Sequence, residues 1–168
     1  MRVGIMSDSH GDVIATRMAV ELLTEQGAEH FFHCGDLCGD DVLAELAGLP
    51  CTFVWGNCDD PSPLAKKFVE SLGLSWPREP VRVELAGKRI AVYHGHERGF
   101  DWAIEEDGLD YLFHGHTHQR ADHRIGHCRV INPGALYRAN PRTCACLDLE
   151  FDQLEFHLIE VHRARNKS

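Results

Sequence analysis

The chain has no CxxC pair among its seven cysteines, at 34, 38, 51, 58, 128, 144 and 146, so the paired short spacings of a zinc ribbon are missing. An odd number with no paired framework also argues against a disulfide scaffold and for reduced thiols in a reducing compartment. Basic residues are in deficit, with 17 Lys and Arg against 26 Asp and Glu and a formal net charge of -9. Non-specific nucleic-acid binding runs on Lys and Arg neutralising phosphates, and this balance excludes it. The N-terminus reaches a polar cluster by residue 7, and no apolar run is long enough for a signal peptide or a membrane span. A cytoplasmic protein with no membrane partner is therefore expected. No internal repeat, low-complexity tract or long linker divides the chain. Its 168 residues, 43% of them hydrophobic, suit one compact domain over 1–168, with Arg163 to Ser168 as a frayed tail. Composition leaves homo-oligomerisation open.

What is abundant is histidine, 12 residues in an acidic chain, and that combination invites cations. The pattern of elements is alternating. Arg2 to Ser7 reads as a buried strand, and residues 13 to 26 as a helix closing at Gly27. His30 to Cys34 is a second strand, Asp41 to Ala47 a short helix, and Thr52 to Trp55 a third strand. Such alternation predicts an α/β domain. Leu64 to Leu72 forms a helix bounded by Pro61, Pro63 and Gly73. Val81 to Leu85 and Ile90 to Tyr93 make a hairpin around Ala86-Gly87-Lys88-Arg89. A helix is expected from Phe100 to Glu106 and a strand from Tyr111 to Phe113. Residues 121 to 131 and 143 to 161 read as hairpins turning near Gly126 and Asp152. Phe31, Phe32, Phe53 and Trp55 fall in the strand-like runs as core residues.

The chemically informative residues follow strands: Asp8-Ser9-His10, Gly35-Asp36, Gly56-Asn57-Cys58-Asp59, His94-Gly95-His96 and His114-Gly115-His116-Thr117-His118. In open α/β sheets ligands bind beyond the carboxyl ends of strands, where loops remote in sequence converge. Aspartate oxygen, neutral imidazole and an asparagine carbonyl suit divalent first-row metals. Side chains two apart share a face of an extended segment, so Asp8 with His10, and His116 with His118, can address one cleft. Asp12 is the candidate cap of the first helix. His33, His96 and His114 are read as supporting or core residues, and His123, His127, His157 and His162 as hairpin residues without chemistry. Arg98, Arg120, Arg138 and Arg142 are read as solvated surface. Cys34 and Cys58 are expected to be buried beside the site.

Taken in order, DSHGD at 8–12, GD at 35–36, GNCD at 56–59, HG at 94–95, GHTH at 115–118 and INPGA at 131–135 resemble the calcineurin-like metallophosphoesterase superfamily, specifically its small uncapped bacterial and archaeal phosphodiesterases. Each motif alone is weak, and their joint order is strong. The resemblance implies a four-layer α-β-β-α sandwich of two mixed sheets flanked by helices. It implies two divalent ions, one held by Asp8, His10, Asp36 and His118, the other by Asp36, Asn57, His94 and His116, with Asp36 as the bridge. Manganese is the first expectation, with nickel, iron, zinc or cobalt as alternatives, because oxygen and imidazole ligands discriminate weakly. The implied nucleophile is a hydroxide between the ions, and the implied substrate a small phosphodiester. A phosphomonoesterase or protein phosphatase on the same site, or a non-catalytic scaffold of the same fold, are the alternatives. One departure stands out: many relatives carry histidine after the asparagine, where it helps the leaving group, and this chain has Cys58. A thiol is a poor hydrogen-bond donor, so diesters are expected over monoesters.

Overall fold

The computed structural model describes residues 1–79, 81–100 and 108–161. The expected helix from Phe100 to Glu106, its first residue apart, and the tail at 163–168 lie outside these. Ten strands and three helices are described: β1 (Arg2–Met6), α1 (Val13–Glu25), β2 (Ala28–His33), α2 (Asp40–Glu45), β3 (Cys51–Phe53), α3 (Pro63–Ser71), β4 (Val81–Leu85), β5 (Lys88–Val92), β6 (Tyr111–Phe113), β7 (Ala121–Ile125), β8 (Cys128–Asn132), β9 (Thr143–Asp148) and β10 (Gln153–Leu158).

The strands form two five-stranded sheets, ordered β10-β9-β1-β2-β3 and β4-β5-β6-β8-β7. Both are mixed. β1, β2 and β3 run parallel while β9 and β10 are antiparallel. In the second sheet β5, β6 and β8 run parallel between antiparallel edge strands β4 and β7. The architecture is two mixed sheets flanked by helices, as the motifs implied.

Side-chain alternation explains the layers. Val3, Ile5, Phe32, Ala145 and Leu147 face inward against Ile90, Val92, Phe113 and Ile131 of the other sheet. There Phe32 and Phe113 meet edge to face at 5.0 Å between ring centroids. Their sequence neighbours Phe31, Cys144 and Cys146 face outward, under Ala15, Ala19 and Leu23 of α1, Leu43 of α2 and Val69 of α3. On the far side of the second sheet, Ala91, Leu112, Cys128 and Val130 pack with Leu109 and Phe100. The β4–β5 turn is tighter than its sequence suggested. Leu85 pairs with Lys88 and Glu84 with Arg89, so Lys88 and Arg89 belong to the strand. The two-residue loop takes left-handed backbone at Ala86 (φ 49°) and Gly87 (φ 73°), the pair of conformations a type I′ turn needs. Among the described residues no helix is long and apolar enough to cross a membrane.

α1 begins just after the loop that carries Asp8 and His10, and its first turn is fixed by Asp12, whose Oδ1 accepts the Ala15 amide hydrogen at 3.0 Å. The other oxygen, Oδ2, accepts from Arg142 Nη1 at 2.6 Å. Arg142 thus ties the start of β9 to the start of α1 at one end of the first sheet, and the expectation of a solvated side chain is corrected by this partner. Replacing Asp12 by Ala should lower the unfolding free energy by about 1–2 kcal/mol, the usual cost of losing a helix cap. Asp12→Asn, which keeps the cap oxygen and loses the charge, should cost less. Urea denaturation of both variants checks the order, and an equal loss would assign the effect to the ion pair alone.

Candidate metal centre

β1 and β2 lie parallel, and their pairing does not stop where the strands do. The amides of Asp8, His10 and Gly11 donate to the carbonyls of Gly35 (3.0 Å), Asp36 (2.9 Å) and Leu37 (2.9 Å). The two loops therefore leave the sheet as one ladder. Along it Asp8, His10 and Asp36 hold φ of 55°, 43° and 54°, and across the cleft His116 and His118 hold 67° and 58°. L-residues enter this left-handed region at a cost, and such residues cluster at functional sites. The expectation of extended segments with alternating faces is corrected here. Asp8 and His10, like His116 and His118, turn together because each takes a left-handed step.

The two aspartates are anchored alike. Asp8 is fully buried, and its Oδ2 accepts the His116 amide hydrogen at 3.1 Å. Asp36 is 3% exposed, and its Oδ1 accepts the Cys58 amide hydrogen at 2.8 Å. In each case one oxygen is tied to backbone and the other points into the cleft. Asp36 Oδ2 lies 3.5 Å from His10 Nε2 and 3.4 Å from His94 Nε2, midway between two groups of donors. In the first group Asp8 Oδ1 is 3.3 Å from His118 Nε2 and 4.0 Å from His10 Nε2, while the two imidazole nitrogens are 3.2 Å apart. In the second, His94 Nε2 is 3.0 Å from Asn57 Oδ1. The exposed His116 packs its ring 5.1 Å from that of His94, at the open rim.

These distances crowd acceptors together in a way that invites a cation. His94 Nδ1–H donates to the Cys34 carbonyl at 2.8 Å, which turns Nε2 towards two acceptors, Asn57 Oδ1 and Asp36 Oδ2. Asp8 Oδ1 is buried with no hydrogen-bond partner among the described residues, although a buried charge must be paired. Burial pushes the Asp8 carboxyl above its usual range. Burial acts the same way on Asp36, but the Cys58 amide and the imidazoles of His94 and His10 outweigh it and hold that carboxyl low. Oxygen and imidazole donors converging in this way fit divalent ions, and two of the convergent sets are Asp8, His10, His118 and Asp8, Asp36, His94.

Behind these residues stands a layer that the sequence reading passed over. The Asp59 carboxylate accepts from the amides of Cys38 and Gly56, each at 2.7 Å, and joins the second and third loops. Glu97 accepts from the amides of His94 and Gly95, each at 2.7 Å. Buried Asn132 donates to the Gly115 carbonyl at 2.8 Å and to Thr117 Oγ1 at 3.1 Å, and so latches the loop of His116 and His118 to β8. Asp59 and Asn132 lie inside the quoted motifs, and that was the available signal. His33 and His114 are buried supports as expected. Burial pushes them down to about 3 and about 4, so both stay neutral; His33 Nε2 pairs with Ser9 Oγ at 2.8 Å. Cys34 is buried, but Cys58 is exposed. Its backbone is committed to Asp36, and this turns its thiol to the rim, where Sγ accepts from Asn57 Nδ2 at 3.3 Å.

Residues 1–152 match the calcineurin-like phosphoesterase superfamily domain, so the chain belongs to that family of metal-dependent phosphoesterases. A phosphodiesterase of Methanocaldococcus jannaschii is 29% identical over 156 residues, covering 89% of this chain and 94% of that one. The phosphodiesterase YfcE of Escherichia coli is 26% identical over 167 residues, 88% of each chain. A solved structure described as a novel archaeal phosphodiesterase superposes with a TM-score of 0.83 at 27% identity, covering 94% of this chain and 99% of that one.

Two outcomes follow from the packing of this centre. A methyl group at Gly56 would collide with Asp36 Oδ1 and its amide. Gly56→Ala should therefore weaken divalent-metal binding roughly 10- to 100-fold, the scale seen when support behind a ligand is lost, with the far-ultraviolet circular dichroism unchanged; calorimetric titration with Mn2+ reads it. Separately, His33 and His114 favour the neutral form when folded, so the unfolded chain takes up more protons below its ordinary histidine pKa of about 6.5. Stability of the metal-free protein should be full above that pH and fall as pH drops towards about 4 and then about 3. Urea midpoints across this range that do not move would contradict the assignment of both rings as neutral.

Proposed function

We propose that the chain is a divalent-metal-dependent phosphodiesterase working through a two-metal centre. One ion would be held by Asp8, His10, Asp36 and His118, the other by Asp36, Asn57, His94 and His116. Manganese is the first choice, with nickel, iron, zinc or cobalt as alternatives on the same donor chemistry. The observation that carries the reading is the position of Asp36, with Oδ1 fixed by the Cys58 amide and Oδ2 3.5 and 3.4 Å from the Nε2 atoms of His10 and His94. A carboxylate placed so serves both halves at once.

When bound, such a pair of ions supplies an activated water at neutral pH and neutralises charge on the phosphoryl oxygens. The chain's own residues set the frame for that chemistry. The Cys34 carbonyl fixes the His94 ring so that Nε2 faces the cleft, and the Asn57 amide is oriented between His94 and Cys58. No side-chain nucleophile is needed. Cys58 occupies the position where many relatives place an imidazole. Its thiol, raised by slight desolvation at the rim and by the neighbouring Asp36, remains protonated and donates weakly. With little help for the leaving group, esters that depart easily are favoured. Diesterase activity in the relatives supports the same choice. The substrate class is a small phosphodiester.

Protein stripped with a chelator should lose hydrolysis of bis(4-nitrophenyl) phosphate and regain it with Mn2+; failure with every dication would refute the proposal. Asp36→Asn should reduce kcat/KM more than any single histidine change, and by more than the roughly 10- to 100-fold typical of residues behind the ligands. An equal or milder loss would remove Asp36 as the bridge. Cys58→His should raise the ratio of monoester to diester turnover, and an unchanged ratio would detach Cys58 from substrate choice.

A further inference from the structure

Beside the donors that face Asp36, three softer ones share a corner of the rim. A ring nitrogen of His10, Cys38 Sγ and Cys58 Sγ all lie within 4.8 Å of one another. Cys38 Sγ is 3.6 Å from His10 Nδ1. Sulfur at about 2.3 Å and nitrogen at about 2.05 Å on a tetrahedral zinc stand about 3.6 Å apart, so this pair already has the separation of two ligands on one ion. The nitrogen concerned is not the one turned to the cleft, since His10 presents Nε2 to Asp36 at 3.5 Å. The two edges of one imidazole ring therefore address two different groups of donors.

The corner is built rather than casual. Asp59 binds the amides of Cys38 and Gly56, each at 2.7 Å, and cross-links the loops that bear the two thiols. Cys38 takes left-handed backbone, with φ of 57°, as the residues around the cleft do. Cys38 Sγ also lies 3.7 Å from the Cys58 carbonyl oxygen, to which its thiol can donate. Cys58 is exposed and Cys38 and His10 are half-buried, so an ion can enter from solvent and keep a water as its fourth ligand. Thiolate sulfur selects soft ions where carboxylate oxygen does not.

We propose that Cys38, Cys58 and Nδ1 of His10 form a further metal site, for a thiophilic dication such as zinc, cobalt or cadmium, linked through the His10 ring to the two-metal centre. Only the link rests on the function proposed above; the site itself stands on its own three donors. Filling it displaces the two thiol protons, and only where Nε2 of His10 also holds an ion does the ring give up its own proton and bind through both nitrogens. It also draws Cys58 Sγ away from Asn57 Nδ2, now 3.3 Å distant. A soft ion in excess would thus be felt on both sides of Asp36.

Cobalt tests this directly, because a thiolate on Co2+ gives an intense charge-transfer absorption in the near ultraviolet and a purely oxygen and nitrogen site does not. The reduced, metal-stripped protein is titrated anaerobically with Co2+. Three equivalents should bind, one of them bringing the thiolate band and releasing the two thiol protons to an indicator dye. Cys38→Ser should bind two equivalents with no band, and Cys58→Ser, altered at an exposed position, should lose most of the band while keeping the same melting temperature. Saturation without a thiolate band, or a band that survives Cys38→Ser, would overturn the proposal. Diester hydrolysis with Mn2+ in the same preparations separates this outcome from a failure of the phosphodiesterase reading.

Discussion

Two buried carboxylates and a set of imidazole nitrogens aim lone pairs at one another across 3 to 4 Å, and most of what surrounds them exists to keep them there. Left to themselves these groups would rotate or move apart. Each is denied that freedom by a hydrogen bond on its far side: the His116 amide on Asp8, the Cys58 amide on Asp36, the Cys34 carbonyl on His94. Donors held together in this way suit a divalent ion, and loops that need not rearrange on binding favour its affinity.

The sandwich is the platform for that arrangement. Parallel β1, β2 and β3 deliver Asp8, Asp36 and Asn57 to one end of the first sheet, and parallel β5 and β6 deliver His94 and the loop of His116 and His118 to the same end of the second. The inter-sheet core of Ile5, Phe32, Phe113 and Ile131 sets the distance between the two halves. Glycines at 56 and 115 let the loops approach closely, since a methyl group at either would strike an aspartate carboxylate.

Much of this was readable in advance, for identifiable reasons. Strand-and-helix alternation is carried by hydrophobic period, and the strand at Tyr111–Phe113 and the hairpin turns near Gly126 and Asp152 needed nothing else. The donors were readable because aspartate, asparagine and histidine after strands are chemically conspicuous, and the structure brings all seven to one cleft. Less visible was anything that depends on backbone. Left-handed φ at Asp8, His10, Asp36, His116 and His118 replaces the expected alternation of an extended chain, because the ladder to the neighbouring loop overrides local preference. The supports Asp59, Glu97 and Asn132 act through amides and carbonyls of other loops, contacts with no local signature. Cys58 was placed wrongly for the same reason: its main chain, not its thiol, is what the centre holds.

The ladder that extends β1 and β2 into the cleft has a consequence for the choice of ion. Asp8, His10 and Asp36 hang from a single run of backbone hydrogen bonds at 2.9 to 3.0 Å, so the gauge between their Cα atoms belongs to the sheet and not to whatever is bound. Ions of different radius must then be fitted by torsions of the side chains alone, within the narrow staggered wells those allow. A cleft framed in this manner works as a fixed jig, and its preference among metals would be decided by how far a carboxylate can swivel.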